Sequence, residues 1–137
     1  MTSLYEITVF LEDTDAGGYV YHANYLKFFE RARTTLLCNK GIDHNHLVNH
    51  EGLMFVVRAC HINFLKPAKL GDTLQVDVKF ESSTHATITI TQSIYKGDTT
   101  LATAKIVLAF VNQLGKIVRI PENIIKTIQK LLQNERF

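Results

Sequence analysis

Hydrophobic and polar positions along the chain follow two periods, and the change between them marks the elements. Leu4 to Leu11 gathers strand formers (Tyr5, Ile7, Thr8, Val9, Phe10) and ends in the cluster EDTDAGG, a turn signal. From Asn24 to Lys40 the period becomes helical. Tyr25, Phe29, Ala32 and Leu36 recur at i, i+4, i+7 and i+11, while Leu26, Phe28 and Leu37 widen the apolar face. A helix this apolar is expected to be largely wrapped by other structure. Gly41 supplies its stop signal.

Asp43 to Gly52 is polar and histidine-rich, which predicts a loop or short helix. Leu53 to Leu65 is a long apolar run closed by Pro67 and Gly71, read as a strand. Period 2 then dominates. Leu74, Val76, Val78 and Phe80 alternate with polar residues, as do Ala86, Ile88 and Ile90, and then Ala102, Ala104, Ile106, Leu108 and Phe110. Ser82-Ser83-Thr84 and Lys96-Gly97-Asp98-Thr99 have hairpin length. Pro121 opens a last helix with Ile124, Ile125, Ile128, Leu131 and Leu132 on one face. The expected order is a strand, a long helix, four strands in a meander and a terminal helix. That predicts an α+β fold with a long helix against a curved antiparallel sheet of about five strands.

The 137 residues are read as one domain, 1–137, large enough for a core. Net charge is +2 with scattered basic residues, so there is no nucleic-acid footprint. No apolar run reaches the roughly 20 residues of a membrane span. The segment MTSLYEITVF has no secretory pattern, and a cytoplasmic location is expected. Cys38 and Cys60 are far apart, without a CxxC, and read as reduced, partly buried thiols. His44, His46 and His50 have neither an HExxH pattern nor an obvious fourth ligand, so a polar loop is preferred to a metal site.

The chemistry concentrates in DTDAGGYVYHANYLKFFERAR, Asp13 to Arg33. It places the Asp15 carboxylate seven residues ahead of the amides that open a helix. Such a carboxylate can attack a carbonyl or activate water while helix-start N–H groups stabilise the oxyanion. An aspartate in a turn or at a helix cap is the structural alternative. Asp13 is read as a turn or capping residue and Asn24 as the helix cap. Gly17 and Gly18 are expected to let the backbone turn tightly and approach the substrate.

This segment resembles the signature of hotdog-fold thioesterases of the 4-hydroxybenzoyl-CoA thioesterase type, and most closely the acyl-CoA thioesterase branch linked to the bacterial Tol-Pal system. The resemblance continues, more weakly, through FVVRACHINFLKPAKLGD, Phe55 to Asp72. It implies a hotdog fold and homo-oligomers, dimers or homotetramers, with active sites at subunit interfaces. It implies hydrolysis of fatty acyl-CoA, or of an acyl carrier protein thioester, to free acid and thiol within lipid metabolism. It puts the catalytic carboxylate on Asp15 and the carbonyl-polarising amide on His22, whose imidazole is a second candidate for orienting water or Asp15. Where some relatives have a tyrosine, this chain has Leu11.

Beside these, Gly17, Gly18 and Tyr21 are expected at the substrate. Phe55, Val56 and Val57 are candidates for an acyl pocket or for plain core. Arg58, Lys66 and Lys69 are candidates for the coenzyme A phosphates or for ordinary surface charge. Glu30 is a candidate second carboxylate or an interface ion-pair member. No cofactor is expected, coenzyme A entering only as part of the substrate. Two other functions stay open: a hotdog dehydratase or hydratase, and a non-catalytic oligomeric partner of envelope, lipid-synthesis or Tol-Pal-linked proteins.

Overall fold

The computed structural model describes residues 4–133. Its strands are β1 (Tyr5–Thr8), β2 (Met54–Phe64), β3 (Thr73–Val76), β4 (Lys79–Ser83), β5 (Thr87–Lys96), β6 (Thr99–Val111) and β7 (Ile117–Val118). Its helices are α1 (Asn24–Asn39), a short α2 (His44–His46) running into a wide turn over Leu47–Glu51, and α3 (Glu122–Gln133).

All seven strands join one antiparallel sheet in the order β1-β3-β5-β6-β2, with β4 also on β5 and β7 on β6. The expected alternation from Leu74 to Glu81 is therefore split. β3 and β4 occupy one place beside β5, interrupted at Asp77 and Val78, which are both buried. The cause is a carboxylate. Asp77 turns inward, where its Oδ1 accepts the Ser93 N–H at 2.7 Å and its Oδ2 accepts the Tyr95 hydroxyl at 2.8 Å. A buried carboxylate is tolerable when hydrogen-bonded in this way. The Tyr95 hydroxyl titrates above its ordinary range, first through burial and then because it donates to Asp77.

The expected four-strand meander is corrected in one respect. β3 and β4 both pair with β5 and β5 with β6, but β2 pairs with β6, so it forms the sheet edge opposite β1. Strand period alone does not say which neighbour a strand takes.

Helix α1 lies across the sheet on one face only. Tyr25, Phe28, Phe29, Ala32 and Leu37 are buried, whereas Leu26, Lys27, Glu30, Arg31 and Thr34 are exposed. Covering Phe28 and Phe29, at 1% and 0% exposure, contributes roughly 2–3 kcal/mol each. Within the chain the helix is thus cradled by the sheet rather than wrapped on all sides. At its C-terminus Gly41 takes φ +93°, and the Ile42 N–H returns to the Leu37 carbonyl at 2.8 Å. Helix α3 seals the far end of the core with Ile128 and Leu132. Cys38 and Cys60 are free, and both are exposed rather than partly buried.

Candidate active site

The EDTDAGG segment folds into a tight hairpin. The Asp15 N–H donates to the Tyr19 carbonyl at 2.9 Å and the Gly18 N–H to the Asp15 carbonyl at 3.0 Å, beside a bridge between Thr14 and Val20. Gly18 sits at φ +81°, the left-handed position this three-residue loop requires. Gly17 has no such backbone need. Its N–H donates to Asp15 Oδ1 at 2.9 Å, fixing the carboxylate in an Asx turn. Asp15 is exposed, and among the described residues its Oδ2 has no hydrogen-bond partner. One oxygen is held and the other is open.

The outgoing arm of the hairpin docks on the segment after β2. Tyr19 bridges Lys69, the Val20 N–H donates to the Ala68 carbonyl at 2.9 Å, and the Leu70 N–H donates to the Gly18 carbonyl at 3.2 Å. The chain then enters α1 through Tyr21, His22 and Ala23. The N–H groups of Asn24, Tyr25 and Leu26 turn back to the carbonyls of Tyr21, His22 and Ala23. The His22 and Ala23 N–H groups find no acceptor among the described residues. Unsatisfied amides at a helix start carry the positive end of its dipole, which suits a developing oxyanion.

The His22 side chain is exposed and makes ring contacts. Its centroid lies 4.6 Å from the Tyr21 ring and 6.2 Å from that of Phe64. Phe64 also meets Tyr25 edge-on at 5.4 Å. The Tyr25 hydroxyl accepts the Ala68 N–H at 3.2 Å. Burial raises Tyr25 above the ordinary tyrosine range, partly offset by that bond, with the Asp72 charge pushing the same way as burial. Val20, His22, Tyr25, Phe64, Leu65, Lys66 and Pro67 line a cleft of about 240 Å³ at the helix entry.

A second cleft of about 240 Å³ opens along the middle of α1, against β2. Phe55, Val56 and Val57 line it with Leu37, Leu47 and Leu108, and Glu30, Arg33, Thr34 and His44 are its polar members. Burial lowers the Arg33 guanidinium from its ordinary value, opposed by the Glu30 charge. Its Nη1 donates to Gln92 Oε1 at 3.4 Å. Arg33 carried no candidate role in the sequence, because an arginine on a helix reads as surface charge.

The structure thus brings Asp15, Gly17, Gly18, Tyr21 and His22 into one hairpin-to-helix unit, with Lys66 and Lys69 on the segment it docks against. Phe55, Val56 and Val57 belong to the second cleft. Arg58 is exposed at the irregularity where the β2 register shifts between Val57 and Ala59, and it lines neither cleft. Asp13 fills its expected turn role, its Oδ2 accepting the Phe10 N–H at 2.9 Å. Asn24 does not cap the helix. Ala23 is the N-cap, without a side-chain bond, and Asn24 Nδ2 donates instead to the Asp13 carbonyl at 2.9 Å. His46 and His50 stack at 4.4 Å, and among the described residues no group of three or more His, Cys, Asp or Glu is placed to hold a metal ion. Among the same residues no helix is long and apolar enough to cross a membrane.

Residues 9–128 match the thioesterase-like superfamily. The chain is 40% identical over 113 residues to the acyl-CoA thioesterase YbgC of Haemophilus influenzae, covering 82% of each chain. It is 30% identical over 129 residues to a putative esterase of Aquifex aeolicus, covering 94% of this chain and 99% of that one. Among solved structures, a probable thioesterase from Bartonella henselae superposes with a TM-score of 0.84 at 37% identity, covering 88% of this chain and 100% of that one. A fold shared over nearly the full length, with the hairpin-to-helix unit inside the matched region, places the chain in the thioesterase-like superfamily with a hotdog fold.

Proposed function

We propose that the chain hydrolyses acyl-CoA thioesters to free acid and thiol, with Asp15 and the His22 N–H as its catalytic pair. The observation that carries this is the half-tied Asp15 carboxylate on a hairpin that leads, seven residues on, to an N–H with no acceptor among the described residues. A relative at 40% identity that bears the name acyl-CoA thioesterase supports the reaction class.

The His22 N–H donates to the thioester oxygen and draws charge from the carbonyl carbon. Asp15 then acts in one of two ways. As a base, it takes a proton from water while the water oxygen adds to the carbon; the tetrahedral oxyanion collapses, the carbon–sulfur bond breaks, and the thiolate receives the proton. As a nucleophile, it forms a mixed anhydride with loss of thiolate, which water then cleaves. Neither route requires a cofactor, and coenzyme A enters only as the leaving group.

The acyl chain occupies the cleft of Phe55, Val56 and Val57, and Arg58, Lys66 and Lys69 attract the coenzyme A phosphates. The outer edge of β2, largely exposed along its length, suits a homodimer in which the sheet continues into a second copy. An acyl carrier protein thioester is the alternative substrate form, and lipid metabolism in the cytoplasm is the setting.

The test is thiol release from acyl-CoAs of short, medium, long and aromatic chains by wild type, Asp15→Asn and His22→Ala. Asp15→Asn keeps the shape and removes the charge, so activity falls by about two orders of magnitude or more while folding is retained. His22→Ala keeps the amide, so a small loss assigns the backbone and a large one the imidazole. Full activity in Asp15→Asn overturns the assignment.

A further inference from the structure

A carboxylate and an oxyanion donor work together only if their separation is held to within about half an ångström. Asp15 rides on a hairpin and the His22 N–H on the entry to a helix, so something must join the two arms. The joint is the Asp13 carbonyl. It accepts the Tyr21 N–H at 3.0 Å and the Asn24 side-chain amide at 2.9 Å. Asp13 is two residues before Asp15, and Asn24 is two residues after His22. Asp13 is itself tethered through Oδ2 to the Phe10 N–H at 2.9 Å.

The Tyr21 bond continues the hairpin, and Val20 and Tyr25 both bond Ala68, which ties α1 to the outgoing arm through a third segment. The bond from Asn24, the first residue of α1, is the direct side-chain tie from the helix to the incoming arm that carries Asp15. A side-chain donor of this reach is needed, because α1 has no side-chain N-cap to tie its start to the preceding loop. Asn24 is only partly buried, so its role is not explained by filling the core.

We infer that Asn24 is a positioning residue, which sets the distance between the Asp15 carboxylate and the His22 N–H by clamping the Asp13 carbonyl. This rests on the reading of Asp15 and His22 as the catalytic pair. Asn24 does not touch substrate. Its loss slows the chemical step and leaves ground-state binding in place.

The test compares Asn24→Asp and Asn24→Ala with wild type, with Thr127→Val on α3 as a control remote from the site. Asn24→Asp is nearly isosteric, turns a donor into an acceptor facing the Asp13 carbonyl, and keeps a residue that suits a helix first turn. Expected for both variants is a fall in kcat of roughly tenfold or more, with KM within about twofold. In amide nuclear magnetic resonance spectra the Tyr21 and His22 signals shift, while those of α3 do not. Unchanged kcat in both variants, or a loss confined to KM with the two amide signals unmoved, overturns the inference. If wild type turns over no thioester, the hydrolase reading fails. The amide spectra then decide the clamp separately, since shifted Tyr21 and His22 signals sustain it and unshifted ones remove it.

Discussion

Gln92, 1% exposed on β5, donates its side-chain amide to the Phe29 carbonyl in α1 at 3.0 Å. The same nitrogen reaches the Asp77 carbonyl at 3.3 Å, and its oxygen accepts from Arg33. Apolar contacts hold a helix onto a sheet without fixing where it sits along its axis; a buried polar pin does. Gln92→Leu removes the donor to two carbonyls and the acceptor for a half-buried guanidinium. Expected is a loss of about 2 kcal/mol in urea unfolding. A change below about 0.5 kcal/mol would mean that the pin adds nothing beyond its volume.

That pin was invisible in the sequence, where Gln92 occupies one of the buried positions of a strand whose partners are aliphatic. Asp77 was hidden likewise. Leu74 to Glu81 alternates well enough to read as one strand, and the fold breaks it because Ser93 and Tyr95, sixteen and eighteen residues on, supply donors for an inward carboxylate. Long-range partners leave no local trace. What was legible is what local chemistry decides: the α1 face through Tyr25, Phe29 and Ala32, the Gly41 stop, and the hairpin that Asp15 and Gly18 build between them. Asn24 shows the boundary well. Its residue type suits a cap, but the Asp13 carbonyl, eleven residues back, takes its amide instead.

Gly18 and Gly17 differ in what they do, so their alanine variants should too. Gly18→Ala forces a side chain onto φ +81° and is expected to cost roughly 1–2 kcal/mol. Gly17→Ala meets no such strain, and its Cβ would lie 3.4 Å from Asp15 Oδ1, an ordinary contact. It is expected to keep both the melting temperature and kcat. Thermal unfolding and thiol release on both variants check this, and equal stability loss in the two would refute the distinction.

Tyr25 joins the helix start to the segment carrying Lys66 and Lys69 through its hydroxyl. Tyr25→Phe keeps the ring against Phe28 and Phe64 but leaves the Ala68 N–H without its acceptor. Expected is a destabilisation of about 1–2 kcal/mol, together with faster hydrogen exchange at Ala68. Unchanged exchange at that amide would show that another group takes its place.

Asp72 provides a pH signature. Burial alone would raise its carboxyl, but the bond from Lys96 at 2.9 Å, the Lys69 N–H at 2.9 Å and the two lysine charges outweigh it and hold the group below its ordinary value. A carboxyl lowered by folding stabilises above its unfolded pKa, near 3.9, and that contribution disappears as pH falls through the folded value. Asp72→Asn is therefore expected to be less stable than wild type at pH 6, with the gap closing below about pH 4. Urea midpoints across this range measure it, and a gap independent of pH would assign the effect to packing.

The cleft along α1 predicts chain-length selectivity. Val57 lines it yet is 50% exposed, so a larger side chain there need not displace the core. Val57→Phe should fill the cleft and leave the hairpin and the helix start unchanged. If the acyl chain lies between α1 and β2, long-chain acyl-CoA loses kcat/KM while short-chain acyl-CoA retains it. The ratio should move by about tenfold or more, the scale on which a hydrophobic pocket discriminates by size. Measuring both substrates on one preparation removes folding as a variable. An equal loss on both would separate this cleft from acyl recognition and direct attention to the cleft beside His22, where Phe64, Leu65 and Lys66 would then have to take the chain.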